Sequence, residues 1–198
     1  MSIETFVDLR SWFHERLTGC MASRGLAARD ETTLYLVELL SSAGLGAAGS
    51  RDSLCGRPLA MILAEAAEAD GIERLRLFRT LGDEALYVSG FFGDHLERRG
   101  VSASYVSRLG TQAYEVAGEL AERTPQELVR ASVYRELAEL FAPLTGVLDD
   151  VRESTAMRTP QDIVRLYDKW RRTGSPRIAA RLTAEGVYPG RDARGMVH

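Results

Sequence analysis

Cysteine and histidine are nearly missing from this chain, with two of the first and three of the second in 198 residues. Cys20 and Cys55 lack C-x-x-C spacing and have too few companions for a zinc site, so both are read as reduced thiols. His14, His95 and His198 stand in no E-x-x-H or H-E-x-x-H context, which removes di-iron and zincin chemistry, and neither a metal nor another cofactor is expected. Lysine is scarcer still: Lys169 stands alone among 25 basic residues, a bias that a GC-rich bacterial genome explains. Long apolar runs are missing too. The longest, "LAMILA" at 59–64, falls far short of the roughly 18 residues that span a bilayer, so no membrane insertion is expected. The opening "MSIETFVDLRSWFHERL" has no basic start followed by an unbroken apolar block, and the expected compartment is the cytoplasm.

Strand-like alternation is also rare. Apolar residues recur instead at intervals of three and four, the period of helices with one buried face. Phe6, Leu9, Phe13 and Leu17 mark a first helix that stops near Gly25. A second is capped by Asp30, buries Leu34, Val37 and Leu40, and ends at Gly44; a third opens at Pro58 and stops at Gly71. The fourth carries a stripe of Ile72, Leu75, Phe78, Leu81, Ala85, Val88, Phe92 and Leu96 up to Gly100, and the fifth carries Leu109, Ala113, Val116 and Leu120.

Two headers, "TPQELVR" at 124–130 and "TPQDIVR" at 159–165, read as one capping device used twice. Threonine caps, proline takes the first turn, and the acid three residues on closes a capping box. Leu128, Leu137, Phe141, Leu144, Leu148 and Val151 continue inward from the first header, with Pro143 set to kink or break that helix. The expected architecture is an all-α single-domain bundle over 1–186, of about seven helices. Its centre is an antiparallel hairpin at 72–121, its end a basic hairpin at 159–186, and residues 187–198 form a tail.

Glycine in the helix at 72–98 demands a reason, since each interior glycine costs about 1 kcal/mol relative to alanine. Folding the fourth and fifth helices about Gly100 sets Gly90 against Gly110 and Gly82 against Gly118, so the expected reason is close approach of two backbones. The same segment, "LGDEALYVSGFF" at 81–92 followed by "DHLERR", resembles the central segment of a family of uncharacterised bacterial all-helical proteins. That resemblance implies the fold and no activity.

Chemistry-bearing candidates are few. "GLGAAG" at 44–49 matches G-x-G-x-x-G in letters, but the residues before it read as helix rather than strand. Ser89 lies in "YVSGF", which is no nucleophile elbow. Tyr87, Phe91, His95 and Tyr114 define a candidate small-molecule pocket, with His95 as base or ligand contact; against it stands a polar last helical turn with ordinary core aromatics.

Charge is uneven. Residues 1–156 hold 16 basic and 24 acidic residues, while residues 157–198 hold nine and four. The basic end offers Arg165, Lys169, Arg171, Arg172, Arg177 and Arg181 as partner contacts, with a helix-turn-helix reading that puts Arg177 and Arg181 on a reader helix. The leading expectation is a non-enzymatic regulatory or interaction protein that binds a protein partner or itself. A ligand-binding or enzymatic bundle comes second and a nucleic-acid binder third.

Overall fold

A computed structural model describes the backbone of residues 3–46, 57–98, 100–155, 167 and 169–184, and the side chains of 10–42, 57–93, 96, 100–153, 167 and 169–184. The chain divides into two compact units, residues 1–154 and 155–198. The helices of the first are α1 (Ile3–Arg24), α2 (Asp30–Gly46), α3 (Leu59–Glu68), α4 (Gly71–Arg98), α5 (Ala103–Glu122), α6 (Leu128–Glu139) and α7 (Phe141–Thr155). In the second, backbone 169–173 is helical and α8 spans Pro176–Ala184, burying Ile178 and Leu182. Every regular element among the described residues is a helix, so the chain is all-α. None of these helices is long and apolar enough to cross a membrane.

The first unit is built around α4 and α5, its most extensive contact; α6 packs on α5, α3 on α4, α1 on α2, and α2 also touches α6. Leu17, Leu36, Leu40, Leu75, Leu81, Leu137, Phe141, Leu144 and Leu148 fill one continuous core. The helix ends follow local chemistry. Gly25 stands at φ +64°, and the Leu26 N–H bonds to the Met21 carbonyl while the Gly25 N–H bonds to Ala22, which closes α1 as a Schellman motif. Gly100, at φ +72° with Val101 N–H on the Leu96 carbonyl, ends α4 in the same way.

The register of the hairpin differs from the mirrored one. A β-carbon added at Gly82 would lie 2.7 Å from the Tyr114 ring, and one at Gly110 would lie 2.9 Å from the Ala85 β-carbon and inside the Phe141 ring's contact radius. Gly110 therefore faces Ala85, five residues short of Gly90, and Gly82 faces Tyr114 rather than Gly118. Gly90 instead admits Leu148 of α7, and Gly118 admits Arg135 and Ala131 of α6. Close approach is the reason for these glycines, but it serves four helix interfaces rather than one. The mirrored register requires two straight rods, and α4 is not straight: Phe92 has φ −128° and ψ 21°. The Phe91 carbonyl at this kink accepts a hydrogen bond from Arg152 of α7 at 3.0 Å, one turn beyond Leu148. Phe92 is thereby turned out of the predicted stripe and is exposed, as is Ile72 at the other end.

Further expectations are corrected at the starts of α6 and α2, while the expected break near Pro143 is present. Thr124 does not cap α6: its hydroxyl bonds back to the Leu120 carbonyl, Glu127 pairs with Arg130, and α6 starts only at Leu128, leaving that leucine exposed. The helix then breaks at Leu140, so that Pro143 falls in the first turn of α7, where a missing N–H costs little. Leu34 is exposed and Leu36 takes its place inside. The second Thr-Pro header and residues 187–198 lie outside the described residues.

The start of α2 is held from a distance. Asp30 is its first residue, and the capping acid is Glu136 of α6, which accepts from the Arg29 N–H at 3.2 Å and from the Thr32 hydroxyl, with Arg29 Nε at 3.5 Å. A carboxylate at a helix N-terminus gains from both the free N–H groups and the dipole. Glu136→Ala is expected to lower stability by about 2 kcal/mol, read as a lower urea midpoint at unchanged slope.

Candidate functional site

Asp83 and Glu84 are consecutive acids in the middle of α4, where the apolar period runs through Leu81 and Ala85. Neighbours on a helix diverge by about 100°, yet both are removed from water: the Asp83 side chain is 15% exposed and Glu84 is 7% exposed. Around Asp83 four helices converge. Tyr35 of α2 and Tyr114 of α5 both donate their hydroxyls to Asp83 Oδ1, at 2.7 and 2.8 Å. Arg79, one turn earlier on α4, holds Nε 3.9 Å from Oδ2. Tyr134 of α6 meets Tyr35 edge to face, with ring centroids 5.9 Å apart.

Burial dominates the electrostatics. Asp83 is pushed up to about 6 by desolvation, against the pull of the two phenol donors and the Arg79 charge. Glu84 is pushed up to about 7 by desolvation and then by the Asp83 charge. The Tyr35 and Tyr114 hydroxyls are held well above their ordinary value by burial and by the Asp83 carboxylate, so they remain protonated donors. The arrangement clamps helices through one oxygen and can hold or release protons. The Tyr114 ring beside that oxygen is fully buried against Gly82.

Of the aromatic candidates, Tyr87 and Phe91 stack with centroids 4.8 Å apart, and Phe92 meets Tyr87 at 5.9 Å. Tyr114 belongs to the Asp83 cluster and touches Phe141 at 6.2 Å. The side chain of His95 lies outside the described residues. An open groove of about 500 Å³ lies elsewhere, between α1 and α2, lined by Arg10, Ser11, His14, Leu34, Val37 and Glu38. Gly44 and Gly46 continue α2, so "GLGAAG" follows a helix, while its last three residues are outside the described ones. Among the described residues no group of three His, Cys, Asp or Glu is placed to hold a metal.

Among the basic candidates, Arg171 and Arg172 are exposed, while Lys169, Arg177 and Arg181 are half-buried; Arg165 lies outside the described residues. The residues that the sequence reading passed over are Asp83, Glu84, Tyr35, Arg79 and Tyr134. One signal was legible: Arg79 and Asp83 stand four apart on a helix whose neighbours are apolar, the spacing of an ion pair. No family model matches the chain, and neither a curated protein nor a solved structure matches it.

Proposed function

We propose that this chain is a non-enzymatic regulatory or interaction protein of the bacterial cytoplasm that binds a protein partner, or a second copy of itself, through a helical surface. The observation that supports it best is at the start of α6, where Leu128 and Val129 stand side by side at 55% and 84% exposure. Isolated exposed leucines are ordinary. Here two adjacent aliphatic side chains project from the first turn of a helix, and periodicity alone would have turned Leu128 inward. A partner covering both recovers roughly 1.5–3 kcal/mol for each. Asp83, Tyr35 and Tyr114, by contrast, are engaged with one another in the core, which suits a scaffold.

The test is partner capture and sedimentation with wild type and with Leu128→Ser/Val129→Asp. Expected is at least a tenfold loss of self-association or of captured partner, with an unchanged helical spectrum. A wild type that is monomeric and captures the same proteins as the double variant would overturn the reading.

A further inference from the structure

Glu84 has an unusual position for a carboxyl group. It is 7% exposed, and no hydrogen-bond donor or cation reaches it among the described residues, while the neighbouring Asp83 has two phenol donors and a guanidinium. The other charged groups near α4 are engaged or face solvent. On α5, Arg108, Glu115 and Glu119 are exposed and Glu122 pairs with Arg135 of α6; on α3, Glu65 and Glu68 are exposed. Asp149 pairs with Arg152 and Asp150 with Arg24 on α7, Glu127 pairs with Arg130 on α6, and α2 contributes Tyr35. A carboxylate with so little contact with water, no protein donor or cation and a second acid beside it is costlier than the neutral acid in the same place.

We propose that Glu84 is a proton-held latch: it is buried as the neutral acid, and loss of its proton loosens the α4 segment around the Asp83 junction. Asp83 joins the helix to Tyr35 of α2 and Tyr114 of α5 at that junction, so a charge placed beside Asp83 weakens both contacts together.

The sign follows from proton binding. The folded chain keeps the Glu84 proton up to about 7, against an ordinary 4.5, so it binds more protons than the unfolded chain across that window. The stabilisation is complete below the ordinary value and is lost as pH rises through the folded one. Between pH 6 and 8 this single group raises the unfolding equilibrium constant roughly tenfold.

The test is urea unfolding of the whole chain at pH 5, 6, 7 and 8, with wild type, Glu84→Gln and Asp83→Asn. Glu84→Gln keeps the shape of the neutral acid and removes its titration, so the loss between pH 6 and 8 should shrink to about twofold, the part Asp83 retains. Asp83→Asn should keep the larger part of the slope, which burial of Glu84 supplies, but a smaller slope than wild type, because the Asp83 titration and its charge beside Glu84 are both removed. The same slope in Glu84→Gln as in wild type would overturn the latch. Should Glu84→Gln fail to fold, the carboxyl ¹³C shift of Glu84 in the wild type decides: a proton retained above pH 6 supports the latch, and ionisation complete by pH 5 overturns it.

Discussion

Asp83→Ala is expected to lower the stability of the first unit by about 3 kcal/mol at pH 7. Two phenols donate to one Asp83 oxygen, and the Tyr114 side chain has no exposure to water that would replace the lost acceptor. Removing the carboxyl relieves its own burial, which holds Asp83 near 6, but it leaves two hydroxyls without a partner and a void between α2, α4 and α5. Asp83→Asn retains an acceptor oxygen and should cost about half as much. Tyr114→Phe combined with Asp83→Ala should fall short of additivity by about 1 kcal/mol, because both changes remove the same hydrogen bond. Denaturant midpoints for wild type, the three single variants and the double variant check this. An alanine variant within about 0.5 kcal/mol of wild type would mean that the tyrosines find other acceptors and that the cluster does not hold the junction together.

The second large effect is expected at Gly110. In an exposed helix interior, glycine to alanine gains up to about 1 kcal/mol from propensity alone. Gly19 in α1 is such a position, since a β-carbon there meets nothing within 4 Å, and Gly19→Ala should stabilise. At Gly110 the added carbon would overlap the Phe141 ring and lie 2.9 Å from Ala85, and Phe141 is itself fully packed. Neither neighbour is the free end of a flexible chain. Overpacking of this kind outweighs propensity, and Gly110→Ala should lose about 2–3 kcal/mol, a fall of roughly 6–10 °C in Tm. Melting curves for the two alanine variants should therefore move in opposite directions. If both rise together, α5 is not pressed against α4 and α7 at this height.

The residues show how far reading along the chain can go. Arg79 and Asp83 are legible as an i,i+4 pair, but Tyr35 and Tyr134 join them from 48 and 51 positions away in sequence from Asp83, and nothing local marks either tyrosine as a partner. The Thr-Pro header at 124 shows the opposite failure. Its letters fit a capping box, yet the Thr124 hydroxyl is taken by the end of α5 and the acid by Arg130. Glu136, with no cap-like context of its own, holds the start of α2 instead.

From its residues alone the chain settled that it would be helical and that α1 and α4 would close at Gly25 and Gly100, because these depend on hydrogen bonds spanning only a few residues. Tertiary packing decided the rest: which helix each glycine admits, where α4 bends, and where Asp83 and Glu84 are enclosed. Those outcomes depend on side chains interlocking across dozens of residues of sequence, where a kink at Phe92 shifts every pairing beyond it and no local pattern records the shift.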